Sequence, residues 1–568
     1  MRELIEELIS NAMQASVDEG ELSLDDIPDP AVERPRDAEH GDWASSVALR
    51  LAGQAHMSPR QIAEIVASHV ETGDVVSSVE VAGPGFINIR LSDSCLQNVL
   101  RRVRDEREDF GRADLGGGQR VQIEFVSANP TGPMHVGHGR WAALGDSLGN
   151  VLEHAGYDVE REFYINDAGR QMDVFAESVS LRYLELCGQT VDFPDDAYGG
   201  SYIVDIAREI HEDVGDVWAS RTEDEREAYF KERAYTQVLA HMKEVLSRAG
   251  VEFDVWFSER SLYVPDENGD NAIDRVISAL DDAGYIYRKD GATWFRSTAF
   301  GDDKDRVLVK ADGSYTYFAP DIAYHMDKFS RVDRVIDIWG ADHHGYVSRM
   351  QAAMSALGNE GRLQVIIGQL VNLLRDGKPV RLSKRRGTMI TFEELLDEVG
   401  RDATRYLMVC RSTDQALDFD IEVAKKQDAS NPVFYVQYAH ARICSILRRA
   451  ARVPDEQAGS CDMDELAARL IDPDADLSLL TDASELSLMR KISEFGEVIE
   501  GAARDCAPFR LTHYAEELAA AFHQFYTRCQ VLTDDVALTA ARLFAVDASR
   551  IMLRLVLGLL GVGAPQEM

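Results

Sequence analysis

Two histidines three residues apart, His135 and His138, are the first residues in this chain whose type and spacing suggest chemistry. They stand in EFVSANPTGPMHVGHGR, residues 124–140. There a short apolar, β-branched run from Val121 to Val126 breaks into a Pro- and Gly-rich turn, and a helical pattern starts at His135. A strand that feeds a loop and then a helix N-terminus is where a doubly wound sheet holds phosphate, because orphan N–H groups and the helix dipole both favour an anion. The H-V-G-H spacing puts both imidazoles one helical turn apart, and Gly137 between them lets a flat ring or a phosphate approach the backbone. Read in isolation, the same four residues also suit two core histidines or half of a metal site.

A second chemical stretch is PVRLSKRRGT, Pro379 to Thr388, a cation-dense loop that follows an Asp376-Gly377 turn. When a carboxylate displaces pyrophosphate from ATP, negative charge develops over the β and γ phosphates, and a mobile cation there stabilises it. Lys384 sits in this loop although the chain has only 11 Lys against 49 Arg. The third stretch is IWGADHH, residues 338–344, a strand ending in Gly-x-Asp. The Asp342 carboxylate suits the two hydroxyl donors of a ribose, with room provided by Gly340, and a role capping the next helix is compatible with that. No Cys or carboxylate stands at zinc spacing beside His343 and His344, so no metal site is read there.

HVGH resembles the HIGH signature of class I aminoacyl-tRNA synthetases. RLSKR resembles their KMSKS loop, with Arg381 for the first Lys, Leu382 for Met and Arg385 for the last Ser. The segments EFVSANPTGPMHVGH, YINDAGRQ, FGDDKDRVLVK, YTYFAPDIAYH, IWGADHHGYV and NPVFYVQYAHARICSILR resemble arginyl-tRNA synthetases almost from end to end. The resemblance implies a substrate set of L-arginine, ATP with magnesium, and tRNA(Arg), joined through an arginyl-adenylate that a terminal ribose hydroxyl of the tRNA attacks. It implies that His135, His138, Lys384 and Arg381 stabilise the transition state, and that Gly137, Gly340, Asp342, Ser383 and Lys384 bind ATP. Ser127, Asn129 and His138 would hold the amino and carboxylate end of arginine, and Tyr317 and Asp321 its guanidinium, with Glu124 a further acid beside the signature.

Physical chemistry agrees with that assignment. A guanidinium has five fixed N–H donors and no acceptor, so its site needs acceptors, a carboxylate above all. Such a site rejects apolar analogues because its own acceptors would be stranded, and a separate editing domain is unnecessary. Asp321 is also placed to cap a helix after Pro320. Two other readings are a class I synthetase for another amino acid, disfavoured by Asp321 and Tyr317, and a noncatalytic tRNA-binding paralogue, disfavoured by the intact HVGH and RLSKR loops.

These residues need elements to position them, and the chain divides accordingly. Residues 1–115 read as a small α+β domain with a strand pair across Val79 to Leu91 bent at Gly83-Pro84-Gly85, and the GPGFIN segment there resembles the N-terminal domain of arginyl-tRNA synthetases, which implies a contact with tRNA. Residues 119–430 read as an α/β, Rossmann-type catalytic domain in two βαβ halves, with a charged helical insertion at about 187–260. In its second half Thr293 to Arg296, Arg306 to Lys310 and Tyr315 to Phe318 read as hairpin strands, followed by a helix from Asp321. Residues 431–568 read as an all-α bundle, with Leu488, Ile492, Phe495 and Ile499 on one helical face, and the resemblance implies that it binds the anticodon.

Bulk properties set the class. A chain of 568 residues with 45% hydrophobic content can bury several cores. No apolar run of about 18 residues occurs, and the most apolar stretch, Ile551 to Leu560, contains Arg554, so neither a signal peptide nor a membrane span is expected. Seven cysteines without a C-x-x-C predict no disulfide framework and no tightly bound metal, in a reducing, cytoplasmic compartment, and a monomer is expected. The net charge of −38 ordinarily disfavours nucleic acid. With lysine so depleted, the acidic excess resembles proteins of salt-loving organisms, where concentrated salt screens self-repulsion; an acidic protein that binds no nucleic acid is the alternative.

Overall fold

The computed structural model describes residues 1–35, 37–380, 390–454, 457, 459 and 461–568. Val121, Gln122 and Ile123 are all fully buried, so the signature strand Arg120–Glu124 is covered on both faces, as the inner strand of a parallel sheet must be. It is the centre of a five-stranded sheet whose order is Leu363–Gly368, Arg334–Gly340, Arg120–Glu124, Asp158–Ile165, Val255–Ser258, every pair parallel. Chain order reverses between Arg120–Glu124 and Arg334–Gly340. The crevice at the carboxyl ends of these two strands is therefore the ligand site expected of a doubly wound sheet.

The first crossover is the signature helix Val136–His154, most of whose residues are buried. The second is long and contains the helices Arg170–Leu186, Ser201–Val214 and Glu223–Arg248. The region read from sequence as an insertion up to about residue 260 thus ends in a strand of the sheet, Val255–Ser258, too short and aromatic for its period to separate it from the helices before it. A small antiparallel sheet joins Ile286–Lys289, Ala292–Phe295 and Arg306–Val309. Tyr315 only bridges Val309, and Phe318 already opens the helix Phe318–Arg331, which corrects both the third hairpin strand and the helix start expected at Asp321.

A third small sheet, Lys378–Pro379, Val371–Arg375 and Leu417–Asp420, leads into residues 381–389. At the N-terminus, four antiparallel strands including the Val76–Ala82 and Phe86–Leu91 hairpin pack with three helices. At the C-terminus, helices Pro432–Ala450, Met463–Leu470, Ala483–Ser493, Phe495–Arg504, Phe509–Arg528 and Val536–Leu559 form the bundle. Leu488, Ile492, Phe495 and Ile499 are all fully buried, but the helix breaks at Glu494, so they belong to two short helices. The N-terminal unit docks on the bundle through Arg490 to Asp42 (2.7 Å) and Arg34 to Glu497.

Candidate active site

His135 is the N-cap of the signature helix and His138 lies in its first turn. The His135 backbone N–H donates to His138 Nδ1 at 3.2 Å, and the two rings stack at 3.7 Å between centroids. With Nδ1 as acceptor, the neutral His138 ring carries its proton on Nε2, the form that donates to a phosphate oxygen. A Cβ on Gly137 would stand 2.8 Å from His135 Cε1, so only glycine permits this stacked pair.

Upstream, Val126 and Ser127 both adopt positive φ (70° and 40°), strain that a β-branched residue tolerates only where its surroundings over-determine it. The kink aims the Ser127 hydroxyl back: it donates to Glu124 Oε1 at 2.7 Å and accepts the Tyr164 N–H at 3.2 Å. Glu124's other oxygen takes Lys328 Nζ, which also donates to Asp337 Oδ1 at 2.7 Å. Glu124 and Asp337 are paired neighbours across the two strands flanking the crevice. Lys328 is fully buried; attraction to Asp337 and Glu124 outweighs its desolvation and keeps it charged. His325 completes the group, with Nε2 on Asp337 Oδ2 (2.8 Å) and Nδ1 on the Asp321 carbonyl (2.7 Å). Glu124, read as a direct arginine ligand, therefore has both oxygens engaged by this chain's own donors.

Beside this cluster lie two carboxylates with no ion-pair partner among the described residues, Asp321 and Glu259. Asp321 accepts the Tyr346 hydroxyl. Burial pushes its carboxyl up to about 6, with Glu259 and Glu124 adding repulsion and the Tyr346 bond opposing. Glu259 is buried, accepts the Tyr263 hydroxyl at 3.1 Å and bonds Tyr164; burial raises its pKa as well. The tyrosines supply these two acids with hydroxyl donors. Tyr317, by contrast, is 86% exposed at the N-cap of the helix Phe318–Arg331. Asn129 is exposed and donates to Gln171 Oε1 at 2.8 Å.

At the end of the neighbouring strand, the Asp342 side chain is exposed and lies beside His343 (3.5 Å). A Cβ on Gly340 would stand 2.6 Å from Asp342 Oδ1, so the glycine lets this carboxylate fold over the strand end. Arg381, Ser383 and Lys384 lie outside the described residues. Their flanks are described: Val380 donates its N–H to Leu373 O (2.8 Å), Phe392 donates to Met134 O (2.8 Å), and Thr391 forms an antiparallel bridge with His135. The described chain resumes at residue 390, and Thr391 there is paired with the first signature histidine.

Three further residues of the site escaped the sequence reading. Arg140 is fully buried and donates to the carbonyls of Gln369 (2.8 Å), Gln415 (3.0 Å) and Ser412 (3.0 Å), stitching the signature helix to the segments around the third small sheet. Lys328 and Glu259 are the others. A lysine within an amphipathic helix and an acid in FSERSLY carry no local signal, because their partners stand up to 204 residues away.

Far from the crevice, the bundle presents a cleft of about 1260 Å³ lined by Tyr438, Arg442, Arg448, Arg449, Arg452 and Tyr526. The Arg442 guanidinium lies 4.6 Å from the Tyr438 ring centroid and 5.2 Å from that of Tyr526. Cations with stacking faces suit a single-stranded nucleic acid, whose bases can be splayed onto aromatic or guanidinium planes. The overall acidity of the chain is locally inverted here.

Three family models match consecutive stretches: "Arginyl tRNA synthetase N terminal domain" over residues 3–91, "tRNA synthetases class I (R), catalytic domain" over 107–444, and "DALR anticodon binding domain" over 436–568. The chain is 47% identical over 571 residues to an arginine–tRNA ligase of Syntrophotalea carbinolica, covering 100% of both chains. It is 46% identical to that of Heliobacterium modesticaldum, covering 100% of this chain and 99% of the relative. Among solved structures, a putative arginyl-tRNA synthetase from Campylobacter jejuni superposes with a TM-score of 0.74 at 34% identity, over 84% of this chain and 100% of that one. The arginyl-tRNA synthetase of Thermus thermophilus, 21% identical with a TM-score of 0.73, covers 100% of both chains and shares the fold. No described helix is long and apolar enough to cross a membrane.

Proposed function

We propose a division of labour among the residues of this crevice, in a chain that belongs to the arginyl-tRNA synthetase family. The enzyme joins arginine to its tRNA at the expense of ATP, through an arginyl-adenylate, releasing AMP and pyrophosphate. ATP enters as its magnesium complex. Its phosphates lie along the N-terminus of the signature helix, where the His138 Nε2–H and the helix dipole meet negative charge, and its ribose takes Asp342 beside Gly340. Lys384 and Arg381 stabilise the negative charge on the β and γ phosphates.

Arginine lies across the switch point. Ser127, Asn129 and His138 take its amino and carboxylate end, so that the carboxylate attacks the α-phosphate directly; no protein nucleophile or general base is needed. Asp321 and Glu259 take the guanidinium, with Tyr317 closing over the mouth of the site. Glu124, itself held in place by Lys328, acts through Ser127, whose hydroxyl it orients. The bundle cleft around Arg442 receives unpaired bases of the tRNA.

The observation that carries this reading is the pair of sheltered carboxylates Asp321 and Glu259, raised in pKa by burial and joined, among the described residues, by no lysine or arginine ion pair. A guanidinium supplies the missing charge in the fork geometry that two acids accept. The test is ATP–pyrophosphate exchange with arginine or citrulline, run with and without tRNA. Arginine supports exchange and citrulline, which lacks the charge, does not. No exchange with arginine under either condition would refute the assignment.

The acidic, lysine-poor surface further suggests a cytoplasmic protein of a salt-loving cell, acting as a monomer.

A further inference from the structure

We propose that Cys187, His211 and Asp216 bind one zinc ion at the outer end of the helical insertion. A sulfur, a ring nitrogen and a carboxylate oxygen from these three residues all lie within 4.8 Å of one another. His211 Nε2 and Asp216 Oδ1 are already 2.9 Å apart. Tetrahedral zinc, with bonds of about 2.3 Å to sulfur and 2.0–2.2 Å to nitrogen and oxygen, places its ligand atoms roughly 3.3–3.6 Å from each other. Small side-chain rotations bring this trio to that spacing.

The three ligands come from the C-terminal ends of two helices. Cys187 ends the helix Arg170–Leu186, His211 lies in the last turn of Ser201–Val214, and Asp216 follows the Gly215 C-cap. Their backbones are held without an ion. The Tyr183 hydroxyl donates to Gly215 O and accepts the Trp218 N–H at 3.2 Å, and the Tyr183 ring meets His211 edge-on at 5.6 Å. A thiolate, an imidazole and a single carboxylate form a borderline-soft set that selects zinc over magnesium or calcium, which require oxygen donors. The exposed side, at Asp216, leaves the fourth position to water. Binding releases the Cys187 thiol proton to solvent, and sulfur ligates as thiolate. The spacing, 23 residues between Cys187 and His211 and four between His211 and Asp216, matches no zinc motif, so the sequence alone predicts no metal here.

The site has a structural consequence for the crevice, because the two helices it clamps lean on the strained signature loop. Tyr202 donates its hydroxyl to Thr131 O at 2.9 Å, and Gln171 accepts from Asn129 at 2.8 Å. An ion pinning the outer ends of these helices stiffens the brace behind Ser127.

The test uses the full-length chain, stripped of metal by chelation and titrated with cobalt(II). One equivalent gives a near-ultraviolet thiolate-to-cobalt band with tetrahedral visible bands, and zinc competes the signal away. The near-ultraviolet band disappears in Cys187→Ser, persists in Cys461→Ser, and needs at least about tenfold more cobalt in His211→Gln and Asp216→Asn. Zinc raises the melting temperature of the parent protein and not of Cys187→Ser. A spectrum without the thiolate band, or a band that survives Cys187→Ser, would overturn the proposal.

Discussion

Held in the first turn of its helix, Asp321 titrates near 6 because burial disfavours its charge and Glu259 and Glu124 repel it, more than the Tyr346 hydroxyl offsets. Two consequences follow at the scale of this residue. A protonated carboxyl cannot pair with a guanidinium, so arginine affinity falls by about tenfold per pH unit below 6 and is flat above it, in calorimetric titrations from pH 5 to 8. The sign for stability is opposite. A carboxyl whose folded pKa lies above its unfolded value destabilises the ligand-free protein once charged, so Asp321→Asn raises its melting temperature at pH 8 while weakening arginine binding by about 3 kcal/mol. Arginine affinity unchanged in that variant, with ATP affinity lost, would move the pocket elsewhere. Asp321 was legible in APD before a helical pattern; its partner Glu259 was not, since nothing in FSERSLY shows that a sheet edge ends beside it.

Elements meet at Lys328 and Arg140, where the helix Phe318–Arg331 and the signature helix are fastened to their neighbours. Lys328→Met leaves Glu124 buried with only the Ser127 hydroxyl and Asp337 with only His325, and destabilises the protein by about 3 kcal/mol, seen in urea unfolding. Asp337 resists desolvation through Lys328 and His325 and titrates below its ordinary range, while Lys328 titrates above its own. The contribution of this group is therefore complete from about pH 4 to 10, lost below as Asp337 protonates and above as Lys328 deprotonates. Arg140→Met strands three carbonyls beside the third small sheet. Because that sheet carries the entry to residues 381–389, kcat for adenylate formation falls more than arginine affinity does. The alternation and turn chemistry of the strands that bear these side chains were readable in sequence. The fastenings were not, since a buried cation looks like a surface one until its long-range partners are placed.

Across the whole molecule, Arg405 ties three regions together. Its buried guanidinium donates to Leu560 O (3.0 Å) at the end of the bundle, to Ala249 O (3.0 Å) and Gly250 O (2.9 Å) after the insertion, and to Asp146 on the signature helix. Arg405→Lys cannot span these acceptors, and unfolding followed by separate probes in the bundle and the sheet then splits into two transitions. At the same scale, the proposal of a salt-adapted protein, resting on the excess of 38 negative charges, predicts that activity and melting temperature rise together up to molar KCl; an optimum in dilute buffer would remove it. Fold class was visible early because two motifs, a strand rhythm and a helical tail agree with one another, whereas couplings such as Arg405 exist only once distant segments meet. The central proposal is that the two signature histidines and Lys384 serve one triphosphate. A crystal structure with arginine and a non-hydrolysable ATP analogue measures this directly. The account predicts the phosphates between His138 and Lys384 and the guanidinium between Asp321 and Glu259; phosphates bound with Lys384 turned to another face of the molecule would contradict it.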